Sequence, residues 1–327
     1  MTSTTTTKSS TAGGTPSASR GRRRPLSFER ISFFAVFLGL PLALYVYLVV
    51  SPIIQAFYYS LTSWSGYDAN PAFVGLANYQ ELIHDDLFWT ALRNNAILAI
   101  VLPIITIVLA LALATLVTVG GSARGQTRGI TGGDFYRVVS FFPYAIPAIV
   151  TGILWQQVYS PQGGLLNGFL DVIGLHNLKN TPWLGDPNLA LGAIVVAIVW
   201  SFVGFYMVLF VAAIKGIPAE IYEAARLDGS GRLRTATQIT VPLIRDNVST
   251  AVVYMAILGL DAFTYMAILA PTGGPNNQAL VVTQYLYSNF TQAKYGYAIA
   301  MGVVLALVTL LVSIGVLVSS RRQEVEL

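Results

Sequence analysis

No Asp, Glu, Lys or Arg occurs between Ile31 and Tyr67. A run of that length leaves the chain few options. Inside a bilayer every backbone N–H and C=O must be satisfied within the protein, which confines spanning segments to helices and closed barrels. A helix needs about 20 apolar residues to cross about 30 Å of hydrocarbon. Six segments of this sequence reach that length, near residues 31–52, 96–119, 138–158, 190–213, 249–270 and 296–318. Five are free of charge and the fifth carries Asp261. Only 10% of the 327 residues are charged, against about 25% in soluble domains. The expected fold class is all-α: a polytopic membrane protein with six transmembrane helices over residues 31–320. Prolines 41, 52, 103, 143 and 147 lie in or beside these spans, where they kink helices and free carbonyls that neighbouring helices re-satisfy.

Residues 1–30 are rich in Thr, Ser and Gly and close with Arg20, Arg22, Arg23, Arg24 and Arg30. Such a composition predicts a disordered basic tail. A secretory signal has an apolar region of only ~7–15 residues, so the longer run after this tail reads as a signal anchor. With six spans and an internal N-terminus, 16 of the 19 Lys and Arg fall on the inner side. Only Arg93, Lys179 and Lys294 fall outside. This positive-inside asymmetry predicts both termini in the cytoplasm, including the short tail 321–327. It puts residues 215–247 inside, and 63–95, 159–189 and 271–295 outside.

The polar stretch Lys215–Asn247 stands out between two spans. Pro218 suits a helix start. Glu220 and Glu223 complement the positive helix N-terminus, and Ala224, Ala225, Arg226 and Leu227 favour helix. Asp228-Gly229 reads as a left-handed stop. A second short helix is predicted from about Leu233 to Thr240, ended by Pro242. On physical grounds this is either a solvated connector or a rigid helix–turn–helix that lodges in a partner.

The order of these residues resembles a family signature. Glu223-Ala224-Ala225, Asp228-Gly229, Ile239, Val241 and Pro242 resemble the EAA loop of binding-protein-dependent ABC importer permeases, maltose/glycerol-phosphate type. Phe73-Val74-Gly75-Leu76-Ala77-Asn78-Tyr79 is similar to that family's VGLxNY loop, Pro143-Tyr144 to the start of its third conserved span, and Gly273-Gly274-Pro275 to its GGP loop. Ala236, Ser230 and Val241 depart from the usual residues without touching a charged or turn position.

The resemblance implies that Glu223, Ala224, Ala225, Asp228, Gly229 and Pro242 couple the permease to a separate ATPase. No phosphate-cradling GxxxxGK[ST] loop occurs in this chain, so ATP and Mg would be bound by the partner, with no cofactor here. The implied assembly is a second permease subunit forming a heterodimer, two ABC ATPase subunits and an extracytoplasmic solute-binding protein. The implied setting is a bacterial plasma membrane and its lipid.

With no cysteine and two distant histidines, His84 and His176, thiolate chemistry is excluded and no metal cluster can be argued. One intramembrane Asp supplies at most half of an aspartyl dyad, which argues against an intramembrane enzyme. The polar, kinked spans argue against a non-transporting scaffold, and no basic face suggests nucleic acid.

A charge in the bilayer faces a partner, water or substrate by default. Tyr254, Leu258, Asp261 and Tyr265 follow helical spacing and are expected on one face. There they would either receive sugar hydroxyls or bond a neighbouring span. Trp155 reads as an interfacial anchor. Trp200 and Tyr206 are either packing or pathway lining, and Gly273, Gly274 and Pro275 either an outer turn or part of an external gate. The near absence of membrane-buried cations favours a neutral sugar over glycerol-phosphate-type solutes.

Overall fold

The computed structural model describes residue 2 and residues 32–68, 70–118 and 133–321. Apart from residues 2 and 321, the expected tails lie outside them, as do the basic residues Arg124 and Arg128 used for orientation. Residues 1–53 and 54–327 form two units.

The described part of the first unit belongs to α1, Ser32–Tyr59, a 28-residue helix with two wider π-turns at Ala35–Gly39 and Val46–Val50. None of its residues is buried. That suits a helix whose solvent is lipid, because acyl chains are as apolar as its side chains.

The second unit contains the other helices. In order they are α2 (Ala77–Ile83), α3 (Asp86–Thr118), α4 (Gly133–Ala145), α5 (Ala148–Val158), α6 (Leu165–Val172), α7 (Ala190–Lys215), α8 (Ala219–Leu227), α9 (Arg232–Leu243), α10 (Arg245–Asp261), α11 (Phe263–Leu269), α12 (Val282–Thr291) and α13 (Tyr295–Arg321). The described residues hold no strand, only an isolated bridge between Thr62 and Phe73. The all-α class is therefore as expected. Four helices, α1, α3, α7 and α13, are long and apolar enough to cross a bilayer unaided. Six spans result when each of two bent pairs counts as one.

Those bent pairs are where the structure departs from six straight spans. The third span is broken at Ile146-Pro147, and its halves are bent by 98°. Pro147 disfavours helix at the residue before it and itself caps α5 in an extended conformation (φ −55°, ψ 139°). The fifth span is also interrupted. Helices α9 and α10 meet at 77°, and α10 ends at Asp261, where Ala262 (φ −46°, ψ 28°) leaves helical geometry before α11. The expected stop at Pro242 falls instead at Ile244. A π-turn over Ala236–Thr240 precedes the proline. Its wider hydrogen-bond pattern makes room for the ring and the missing N–H. Helix α3 starts ten residues before the expected span, because Asp86–Asn95, a mixture of polar and apolar residues, continues the same helix.

The core is where α3, α7 and α10 pack together, with α4 on α7, α11 on α5, and α13 on α10 and α12. Leu98, Leu102, Ile194, Ile198, Phe210 and Met255 are fully buried there. Without a hydrophobic drive between helices in lipid, close packing depends on small residues. A side chain at Gly259 would lie 2.7 Å from the Leu98 carbonyl carbon, so α10 rides directly on the backbone of α3. At Gly204 a methyl would fall on the Ser140 carbonyl oxygen, fixing α7 against α4 in the same way.

Candidate functional site

Two regions concentrate polar structure at opposite ends of the spans. The first is the loop 215–247. Pro218 caps α8 (φ −55°, ψ 138°), with Glu220 in the first turn. The helix ends as its sequence requires. Gly229 takes φ +74°, its N–H donates to the Arg226 carbonyl at 3.0 Å, and the Ser230 N–H donates to the Ala225 carbonyl at 2.9 Å. This pair of bonds is a Schellman closure, which demands a left-handed residue at this position.

One face of α8 is held inward. Tyr222 and Ala225 are buried, and the Tyr222 hydroxyl meets Thr240 Oγ1 at 3.2 Å. Thr240 in turn donates to the Thr235 carbonyl, tying α8 to α9. The opposite face is open: Glu223, Ala224 and Asp228 are exposed, and Leu227 is 89% and Leu233 79% exposed. The structure thus separates two residues the sequence reading grouped: Ala224 faces out and Ala225 packs in. Pro242 is exposed within α9.

The second region surrounds the break at Ala262 and the loop after α11. Its fasteners are adjacent asparagines on the N-terminal extension of α3. Asn94 Nδ2 donates to the carbonyls of Gln278 (3.0 Å) and Leu280 (2.8 Å). Asn95 Nδ2 donates to those of Gly259 (3.2 Å) and Leu260 (2.7 Å), while its Oδ1 accepts the Val282 N–H at 2.8 Å. One buried side chain therefore satisfies carbonyls freed by the helix break and the first amide of α12. Sequence reasoning missed both asparagines; paired amides beside an apolar run, at the end of a span that needed partners for a break, were the available signal.

Between these ties, Gly273 (φ +91°) and Gly274 (φ +67°) turn the chain, followed by Asn276 (φ +54°) and Asn277 (φ +57°). Thr272 also has φ +56°, an uncommon geometry for a β-branched residue. Pro275 opens the next tight turn. The Gln284 amide holds the loop base by donating to the Ala270 carbonyl at 3.0 Å.

A third tie sits on the same side. Asp85 caps α3, accepting the N–H groups of Leu87 and Phe88. Its other oxygen accepts the hydroxyls of Tyr285 and Tyr297, each at 2.6 Å. Partial burial pushes the Asp85 carboxyl up, but these hydrogen bonds outweigh it and hold it below the usual carboxylate value. Burial, then the bond to Asp85, pushes the Tyr285 phenol up to about 12, so it remains a donor. Asn78 and Tyr79 of the VGLxNY-like loop fasten the chain just after α1: Asn78 donates to the carbonyls of Ser60 and Thr62, and Tyr79 to Ser60 Oγ.

The break takes Tyr265 off the expected common face, whereas Tyr254, Leu258 and Asp261 keep their helical spacing within α10. Leaving helical geometry at Ala262 resets the angular phase, so spacing across it no longer predicts a face. Tyr254 is 66% exposed and lies near Tyr206, as does Tyr144. Asp261 is exposed at the end of α10, in a groove of about 510 Å³ shared with Gly302, Thr309 and Ser313 of α13. Tyr265 is buried beside Ser201 of α7. Trp200 stacks edge-on with Trp155 at 5.7 Å, and Tyr144 stacks on Phe205 at 4.4 Å. The histidines stay apart: His84 meets the Gln80 carbonyl and His176 meets Asp171. Among the described residues no three His, Asp or Glu groups could hold a metal.

The comparisons with known proteins agree with this architecture. The chain is 50% identical over 292 residues to the diacetylchitobiose uptake system permease protein NgcF of Streptomyces coelicolor, covering 89% of this chain and 83% of the relative. It is 30% identical over 293 residues to the multiple sugar-binding transport system permease protein MsmF of Streptococcus mutans, covering 88% and 95%. A solved bacterial alginate ABC transporter, in complex with alginate pentasaccharide-bound periplasmic protein, contains a chain of the same fold. The TM-score is 0.76 at 22% identity, covering 90% of this chain and 96% of that one. The model of the binding-protein-dependent transport system inner membrane components matches residues 117–325. This polytopic, all-helical chain belongs to that family of membrane permeases.

Proposed function

We propose that this chain is one permease subunit of an ATP-driven importer that carries a neutral oligosaccharide across a bacterial plasma membrane. The diacetylchitobiose of its half-identical relative is the leading candidate. A second permease completes the pathway, an extracytoplasmic binding protein delivers the sugar, and two separate ATPase subunits bind ATP and Mg.

One observation carries the reading: α8 is a capped helix fixed from behind by Tyr222–Thr240, with Glu223, Ala224, Leu227 and Asp228 open on its far side. A rigid, projecting helix transmits displacement, whereas a loose connector does not. Gly229 and Pro242 set its turn and exit, and Ala225 seats it. Tyr254 and Trp200 furnish exposed aromatic surface along the spans, suited to apolar sugar faces, with Tyr206 buried behind Tyr254 and Asp261 beside α13.

The test is Glu223→Lys in the complete importer. A like-charge contact in a partly desolvated interface costs several kcal/mol, of the order of ~2–5. Co-purification of the ATPase and sugar uptake should both fall at least tenfold, with membrane insertion unchanged. Full association together with full uptake would reduce the loop to a connector.

A further inference from the structure

Beside the outer loop lies a cavity of about 600 Å³ that the spans do not require. Its size is that of small-molecule sites, and its lining mixes two kinds of group. Gln284 is 7% exposed. Its amide orientation is set by chemistry, because only the N–H₂ end, Nε2, can donate to the Ala270 carbonyl at 3.0 Å. Its Oε1 is therefore fixed as an acceptor, and it receives no hydrogen bond from any described residue. A buried acceptor left unmet is costly, and Gln284 lines the cavity. An aromatic pair, Phe263 and Tyr287, with ring centres 5.6 Å apart, lines the same cavity. Tyr287 is 56% exposed. Ser288, Thr291 and Gln292 add neutral polar groups to the wall, and Lys294 places one cation at it.

The ligand must therefore bring a donor to Gln284 Oε1. A carboxylate or phosphate oxygen there would face a carbonyl oxygen. The aromatic wall asks for an apolar face on the same molecule. A sugar ring offers both, with O–H or acetamido N–H groups at its edge and C–H groups on its face. We propose that this cavity is an outer carbohydrate subsite, taking the end of a neutral sugar with a hydroxyl or acetamido N–H on Gln284 Oε1 and its ring against Tyr287. The proposal rests on the reading that this face is extracytoplasmic and that the importer carries sugar.

The natural chain has no cysteine, so a single Ser288→Cys gives clean labelling. In the full importer in proteoliposomes, an impermeant maleimide is applied with N,N′-diacetylchitobiose or maltose, with and without binding protein. One of the sugars alone should slow labelling at least fivefold. Gln284→Met, similar in length without the acceptor, should abolish that protection and raise the uptake KM at least fivefold at unchanged maximal rate. Should Gln284→Met fold poorly, Tyr287→Ala should lose the protection and Tyr287→Phe keep it. Protection by neither sugar, or protection only when binding protein is present, overturns the subsite; the latter makes the cavity a protein contact. Protection without uptake keeps the subsite and overturns the importer reading instead. Uptake without protection does the reverse.

Discussion

Replacing Asn95 with Leu tests whether one side chain holds the helix break and the loop before α12 together. The exchange keeps approximate volume and removes three hydrogen bonds, two donated by Nδ2 to Gly259 and Leu260 and one accepted from Val282. Side-chain hydrogen bonds in membrane proteins average ~0.6 kcal/mol and reach ~1.7. Three of them, at a residue with no exposed surface, give about 2–5 kcal/mol. That is a large share of a typical stability of about 5–15 kcal/mol. At about 1.4 kcal/mol per decade, even the lower figure raises local opening some 25-fold. The assay is hydrogen exchange of the purified complex in nanodiscs, followed in peptides covering 255–262 and 278–284. Because one amide serves both, the two segments should lose protection together, with α7 unaffected. Loosening of only one segment, or of neither, would refute the idea of a shared fastener.

Gly229 has open space where a side chain would begin, so its constraint is conformational alone. Gly229→Val should abolish uptake with normal insertion, whereas Gly229→Asn, which tolerates the left-handed region, should retain most of it. Asp85 has a folded pKa below its ordinary value, so its contribution is present above the usual carboxylate range of about 4 and is lost as pH falls through the lower folded value. Asp85→Asn should lower thermal stability by about 1–3 kcal/mol at pH 7, and the gap to wild type should close only in acid below about pH 4; an equal gap at pH 3 would contradict the tie. For topology, cysteines introduced singly at Thr11 and Asn277 should react with an impermeant reagent on intact cells only at Asn277.

Hydropathy located the membrane segments because it averages over lengths that a span must have. It could not see their interruptions for the same reason. Breaking a helix at Ile146 or Ala262 changes two dihedral angles and no side chain's polarity. Pro147 hinted at the first break, but no residue marks Ala262, and the face drawn through Tyr254 and Tyr265 failed there. The turn at Gly229 was legible because a single residue type satisfies a single backbone requirement. Asn94 and Asn95 were not, because their partners lie more than 160 residues away in sequence and are backbone atoms, which carry no sequence signature. Asp85 became readable as a helix cap only once α3 was known to begin at Asp86.

The 33 residues of α3 extend about 50 Å at ~1.5 Å per residue, and the hydrocarbon is about 30 Å thick. In an untilted helix the surplus amounts to about thirteen residues, and its N-terminal share carries Arg93, Asn94 and Asn95. The fastenings of the loop after α11 thus stand on a stiff post rooted in the bilayer, their height fixed by helix length. A thicker membrane would draw polar groups at the head of that post into hydrocarbon at a cost of fractions of a kcal/mol per Å. The set of this face should therefore follow lipid chain length, and bilayers of graded thickness should give an optimum for uptake.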